Sequence, residues 1–375
     1  MMNKAYKQEI MNRLDEKVER MMAQIGDNSP HAAGKDGKYD NMPHSWWTSG
    51  FWPGLLWLMH DVTGKDSFKD AAWDWDKKLA VGFSQYPNPM HHDVGFQFLP
   101  TSVIKHAITG DEDGLRIGLE AANFLAGRFN PVGNFIRAWN QWGEKDNSGW
   151  AIIDCLMNTP LLYWASDVTG DPRYKHIAMK HTDSVLEYAI RDDGSVCHIL
   201  AFNPDTGEFV EQIGGQGYSG TSAWSRGNSW ALHGLAVAYR YTGEQRYLDA
   251  AKRIAHYFIA ALPDDHVPYW DFRLPSLDGE PRDSSAAACA ASGLIELAQG
   301  VPADEQRMYM AAAERILYSL SENYATWDKP DHQGILLEAT AHKPANSHIN
   351  VSLIYGDYYF AEAFAKLNGW ERRIF

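Results

Sequence analysis

The segment AIIDCLMNTPLLYW, residues 151–164, holds one carboxylate, Asp154, in an otherwise apolar run. Ionising an acid in such surroundings costs several kcal/mol unless something compensates; an acid that stays protonated instead becomes a proton donor near neutral pH. A second acid, Asp93, stands in HHDVGFQFL directly behind His91 and His92. Both acids lie beside long loops and at the start of apolar helical stretches, where Asp also serves as an N-cap. The loop ahead of Asp154 carries Trp139, Trp142 and Trp150. Two carboxylates in an aromatic cleft suit general acid/base work on a sugar, and they equally suit the binding of hydroxyl groups.

A third constellation is the loop GGQGYSGTSAWSRGNSWAL, which offers Gln216, Arg226 and Trp230. Arg226 and Trp230 are one helical turn apart, so both can face one ligand. A guanidinium there could grip a carboxylate with two parallel hydrogen bonds, the alternative being an ordinary surface arginine. The glycines form no dinucleotide fingerprint, because no strand precedes them and no alternation of strands and helices surrounds them. Adjacent His91 and His92 lack the i, i+4 spacing of a helical zinc site. The expectation is no metal and no cofactor.

The elements that must position these residues can be read from a recurring pattern. An apolar helical segment, a turn with glycine and a second amphipathic segment recur in MHDVTGKDSFKDAAWDWDKKLA, KHAITGDEDGLRIGLEAANFLAGRF, ASDVTGDPRYKHIAMKHTDSVLEYAI, AYRYTGEQRYLDAAKRIAHYFIAAL and LAQGVPADEQRMYMAAAERILYSLSENY. In each, the glycine (Gly64, Gly110, Gly170, Gly243, Gly300) fits a left-handed helix stop, and the polar residue after it opens the next helix. The N-terminal helix and the C-terminal YGDYYFAEAFAKLNG supply a sixth pair. Irregular spacing favours closure into a ring over an open solenoid. The expected fold is all-α, an (α/α)6 barrel forming one domain over residues 1–375, with long loops building a cleft at one end.

Composition narrows the partners. The 375 residues carry 48 acidic against 34 basic side chains, a formal charge of −14, so the overall field repels polyanions and nucleic acid is excluded. An anionic ligand would need local cations. The 15 Trp, 18 Tyr and 15 Phe supply material both for core filling and for platforms that stack on sugars. Cys155, Cys197 and Cys289 are isolated, which fits buried thiols and neither a disulfide framework nor a zinc knuckle. No window approaches a membrane span and the N-terminus lacks a signal-peptide core. A cytoplasmic protein, monomeric or weakly dimeric, is expected.

Eight segments taken in order, SWWTSGFWPGLLW, HHDVGF, FIRAWN, AIIDCLMNTPLLYWA, GGQGYSGTSAWSRGNSWALHG, PYWDF, RDSSAAACAASGL and YGDYYFAEA, resemble the unsaturated glucuronyl hydrolases of glycoside hydrolase family 88 over nearly the whole chain. The resemblance implies an (α/α)6 barrel acting on oligosaccharides left by polysaccharide lyases, whose non-reducing end is a 4,5-unsaturated uronic acid. It implies hydration of the C4=C5 vinyl ether, followed by spontaneous opening of the hemiketal. Position by position it makes Asp154 the proton donor and Asp93 the second essential acid. Trp47, Trp139, His198, Gln216, Arg226 and Trp230 then line the uronate subsite, and His92 beside Asp93 is expected to join them; the overall acidity calls for Arg226 or Gln216 on the carboxylate, with Trp47 and Trp230 stacked on the ring. Ser347 falls in the loop that meets the neighbouring sugar, where KPANSHINV departs from the family pattern. Three alternatives stay open on the residues: an unsaturated rhamnogalacturonyl hydrolase, a toroidal sugar epimerase working through His91, His92 and His198, and a carbohydrate binder without catalysis.

Overall fold

The computed structural model describes residues 2–141 and 146–375; Trp142, named above, lies outside them. Helix α1 (Lys4–Ile25) opens the chain, followed by α2 (Phe51–Thr63), α3 (Asp66–Ala72) and α4 (Trp75–Ala80). Next come α5 (Val94–Phe98), a π-helical turn Leu99–Val103, α6 (Ile104–Thr109) and α7 (Glu112–Gly127). Helices α8 (Pro160–Thr169) and α9 (Pro172–Tyr188) form the next pair, then α10 (Ser225–Thr242) with α11 (Gln245–Ala261), and α12 (Ser284–Gly300) with α13 (Ala303–Ser319). Helix α14 (Ile354–Leu367) is the last.

Sequence decides which helices face the axis. In α10 every residue from Ser225 to Ala238 is buried, and the same holds for Ser284 to Ala298 in α12 and Phe51 to Met59 in α2. A helix without a charged face has nowhere to go but the interior. By contrast α11 buries only a stripe, Tyr247, Leu248, Ala250, Ala251, Ile254, Ala255 and Phe258, and turns its charges outward. The inner elements pack in a closed circuit: α2 on the π-turn and α6, α5 on α8, α8 on α10, α10 on α12, α12 on α14, and α14 back on α2. Outside them α3 backs α2, α7 backs α6, α9 backs α8, α11 backs α10, α13 backs α12 and α1 backs α14. Six inner and six outer layers make the (α/α)6 barrel, with the first and last helices closing the sixth pair as expected.

The hairpin turns follow the glycine reading at four of five positions. Gly64, Gly110, Gly170 and Gly243 have φ between 68° and 74°, the left-handed stop that costs a residue with a Cβ. Asp111 and Asp171 then cap α7 and α9 through their side chains. Gly300 departs: it is the last residue of α12 and does not take positive φ. Its small size answers to packing instead, since a Cβ there would sit 2.9 Å from the Tyr239 ring. All three cysteines are free and buried.

The barrel axis is filled with aromatic rings. Phe51, Phe96, Trp230, Tyr358, Tyr359 and Phe375 meet one another at centroid distances from 5.1 to 6.3 Å. Phe96 and Trp230 belong to this plug, and Trp47 lies on Phe96 at 5.7 Å. No helix among the described residues is long and apolar enough to cross a membrane.

Candidate active site

Between the inner helices the connecting loops form seven short strands among the described residues, and three of them carry site residues. Strands β3 (Trp150–Ile152), β4 (Ile199–Phe202) and β5 (Phe209–Ile213) make an antiparallel sheet in the order β3-β4-β5. Ile152 pairs with Ile199, and Ile199 with Ile213. The register brings three chain ends to one edge of the sheet. Asp154 follows β3, His198 precedes β4, and Gly214 to Gln216 follow β5. The Ile153 amide extends the ladder by donating to the His198 carbonyl at 3.0 Å.

Asp154 sits in a 3-10 turn, Ile153–Met157, and Asp93 just ahead of the five-residue α5. Neither carboxylate makes a cap hydrogen bond, so the capping alternative does not describe them. Asn158, four residues after Asp154, ties the two segments together. Its Nδ2 donates to Asp93 Oδ1 and to the Asp154 carbonyl, both at 3.1 Å, while its Oδ1 accepts from the Phe96 amide at 2.8 Å. Gly95 permits this approach, because a Cβ there would lie 2.4 Å from the Asn158 Cα.

The electrostatics separate the two acids. Burial, then the charge of Asp93, push Asp154 up to about 8, with Arg226 pulling partly the other way. Burial would raise Asp93 as well, but His92, His91 and the Asn158 amide outweigh it and hold that acid below the ordinary carboxylate range. His91 Nδ1 lies 3.3 Å from Asp93 Oδ2 and His92 Nε2 lies 3.4 Å from Oδ1. At neutral pH the site thus holds one protonated and one ionised carboxyl, the division that acid catalysis requires. His91, His92 and Asp93 also bring metal-ligand atoms within 4.8 Å of one another, although each imidazole there faces an oxygen of the one carboxylate.

Around the acids stand most of the residues named from sequence. Trp139 meets His92 at 6.4 Å and His198 at 6.2 Å, both edge-on, so one indole spans the imidazole beside each acid. Trp47 is half-buried and packs on Tyr355 at 5.1 Å, keeping part of its surface open. Burial holds His92 and His198 down to about 3, so both are neutral. Ser347 starts β7 (Ser347–Val351), which pairs with β6 (Ala339–His342), and its hydroxyl contacts His348 Nδ1 at 3.2 Å.

Two expectations change with the geometry. Arg226 is buried, and its four terminal N–H groups are all engaged: Nη1 with Asp283 and the Thr340 carbonyl, Nη2 with Gln216 Oε1 at 2.8 Å and the Ala341 carbonyl. A guanidinium out of water must satisfy every donor, so here it fastens the β6–β7 hairpin to α10 and has no fork left to grip a substrate carboxylate. Trp230 has no exposed surface and cannot stack on a sugar; what it presents is an indole Nε1–H without a partner. Asp154 Oδ1, His198 Nε2 and His92 Nδ1 are likewise buried and make no well-formed hydrogen bond. Orphan polar atoms are rare in folded interiors, and these belong to residues that the sequence singled out.

The sequence reading passed over Asn158, Asp283 and Tyr355. Asn158 lies one helical turn from Asp154, a visible spacing. Asp283 caps α12 through the Ser285 and Ala286 amides, and D-S-S before an apolar run is a legible N-cap. For Tyr355 no local pattern distinguishes it from its neighbours Tyr358 and Tyr359.

The family model described as Glycosyl Hydrolase Family 88 matches residues 13–375. The chain is 34% identical over 350 residues to the unsaturated glucuronyl hydrolase of Bacillus sp. (strain GL1), covering 93% of each. It is 34% identical over 339 residues to the unsaturated chondroitin disaccharide hydrolase of Streptococcus pyogenes serotype M1, covering 90% of this chain and 85% of the other. Its backbone is similar to the crystal structure of the unsaturated glucuronyl hydrolase of Bacillus sp. GL1, described as responsible for the degradation of glycosaminoglycan, with a TM-score of 0.93, 33% identity and 97% of both chains covered.

Proposed function

The chain belongs to Glycosyl Hydrolase Family 88, and on that footing we propose that it releases the 4,5-unsaturated uronic acid from the non-reducing end of lyase-generated oligosaccharides of the glycosaminoglycan type. The reaction is hydration of the C4=C5 vinyl ether. Asp154, protonated at neutral pH, delivers its proton to C4, and positive charge develops at C5 and the ring oxygen. Water adds to C5 while the Asp154 carboxylate takes a proton from it. The resulting hemiketal opens and the neighbouring sugar leaves. Because the anomeric carbon is not the reacting centre, the spacing rule for paired glycosidase carboxylates does not govern this site.

Asp93 stays ionised, holds the Asp154 proton in place by its charge and accepts hydrogen bonds from sugar hydroxyls. Trp47 and Trp139 wall the ring. With Arg226 fully engaged, the Gln216 amide nitrogen is the donor we assign to the uronate carboxylate, its Oε1 being held by Arg226. His92, His198 and Trp230 contribute neutral donors, and Ser347 approaches the adjoining sugar. Residues 1–375 act as one catalytic domain, and three free thiols favour a reducing compartment such as the cytoplasm.

One observation carries the reading: a buried acid with an unpartnered carboxyl oxygen, raised to about 8, beside an ionised partner. Asp154→Asn keeps the shape and removes the proton. It should bind an unsaturated chondroitin disaccharide within about threefold of the parent affinity and slow the loss of its ultraviolet absorbance by at least about 100-fold. Near-normal turnover in that variant would refute the assignment.

A further inference from the structure

The imidazole beside the acid is locked in one tautomer by the backbone. The Gln216 amide donates to His198 Nδ1 at 2.9 Å, so Nδ1 carries the lone pair and a neutral ring must carry its proton on Nε2. Gly215 makes the approach possible. Its φ is +58°, and a Cβ on it would lie 2.1 Å from Nδ1 and 2.9 Å from Cε1. The ring is held from its other side by Trp224 at 4.5 Å and Trp139 at 6.2 Å.

Nε2 points the remaining way, toward Asp154 Oδ1 at 3.7 Å. That is too far for a direct hydrogen bond, and neither atom makes a well-formed one elsewhere, the Gly214 carbonyl lying near the ring. An oxygen about 2.8 Å from each would stand about 2 Å to one side of the line that joins them. We propose that the Gly215–Gln216 backbone makes His198 an obligate hydrogen-bond donor that seats the water adding to C5, leaving Asp154 as the only base for that water. The proposal rests on the hydration reading above and deepens it.

The steps balance with His198 unchanged throughout. The Asp154 proton forms the new C4–H bond with the alkene electron pair, the water oxygen forms the C5–O bond, and one water proton returns to Asp154. The net change is one water across one double bond. The opposite tautomer would defeat both halves: a lone pair on Nε2 would accept the Asp154 proton as a hydrogen bond and hold it away from C4. It would also compete as a base for the water. Gly215 and the Gln216 amide are therefore positioning groups, and the reason for a glycine at 215 is chemical as well as conformational.

The tautomer can be read without substrate. In protein labelled with 15N at histidine, His198, assigned by the loss of its signals in His198→Gln, should show a pyridine-type Nδ1 and a pyrrole-type Nε2–H. A pyrrole-type Nδ1 would overturn the proposal. This readout stands even if the wild type fails to hydrate unsaturated disaccharides, which would sink the functional reading alone. Kinetics give the second test, because the Gln amide nitrogen reaches toward the position of Nε2 and that of Asn only toward Nδ1. His198→Gln should lose about tenfold in kcat and His198→Asn about 100-fold or more, with KM changed less than about threefold in both. Equal losses, or better activity in His198→Asn, would overturn the donor role. Circular dichroism establishes that each variant compared is folded, and if either is not, the wild-type spectrum alone decides.

Discussion

The charge state of Asp154 can be measured and shifted. Moving its pKa from 3.8 to about 8 corresponds to roughly 6 kcal/mol of disfavoured ionisation. Burial is the larger cause and Asp93 the second. Catalysis needs Asp154 protonated and Asp93 ionised, so kcat/KM should hold through neutral pH and fall tenfold per unit above about 8, with the acid limb below the usual carboxylate range. Asp93→Asn removes the nearby charge and leaves the burial. One charge about 6–8 Å away in a medium of effective dielectric about 20 is worth about 2–3 kcal/mol, so the Asp154 midpoint should drop by about two units yet stay above 3.8. The assay is the infrared carbonyl band of the protonated acid, identified by its absence in Asp154→Asn and followed across pH in parent and Asp93→Asn protein. Stability gives an independent sign. A folded pKa raised above the unfolded value contributes stability that is complete below about 3.8 and lost as pH rises through about 8. Asp154→Asn should accordingly be more stable than the parent at pH 7, by at most about 4 kcal/mol, and no more stable near pH 3. A parent band already gone at pH 6, or a midpoint unmoved by Asp93→Asn, would refute the reasoning.

Two other outcomes follow from the packing. Gly95→Ala drives a Cβ into the Asn158 backbone, at 2.4 Å from its Cα, and should cost about 1–3 kcal/mol in denaturant unfolding while lowering kcat more than that loss explains, because the two acid segments are prised apart. Trp230→Phe keeps an aromatic ring on Phe96 and removes an Nε1–H that has no partner, so activity should fall by more than about tenfold while the thermal midpoint moves by only a few degrees; a stability loss with unchanged turnover would assign Trp230 to the plug alone.

The barrel was legible because its signals are local. Glycine stops, acidic helix starts and the contrast between apolar and amphipathic segments each need only one turn of chain. The acids were legible for a related reason, since a carboxylate inside AIIDCLM is conspicuous against its neighbours. What the sequence hides is the β3-β4-β5 sheet, because strands of three to five residues carry too little alternation to stand out from loop. That sheet is what brings Asp154, His198 and Gln216 to one edge. The roles of Arg226 and Trp230 were hidden for another reason: a helical turn between them predicts a shared face but not whether it opens on solvent. Burial of that face turns the arginine into a fastener and the tryptophan into a single N–H.

The same burial bears on how an anion enters a protein with a formal charge of −14. Arg226 is offset by Asp283 at the back of the site. Arg128, bonded to the carbonyls of Arg137 and Ala138, lies close enough to Asp93 for the two charges to be felt. His92 and His198 are neutral. Protonating Asp154 removes one negative charge from this group, and a uronate then meets less repulsion. With Asp154 ionised the same groups carry one more negative charge in a poorly screened interior, so the substrate is disfavoured at the moment the proton donor is lost. Keeping that acid neutral therefore serves capture as well as chemistry. For this reason KM should rise along with the fall in kcat as pH passes about 8.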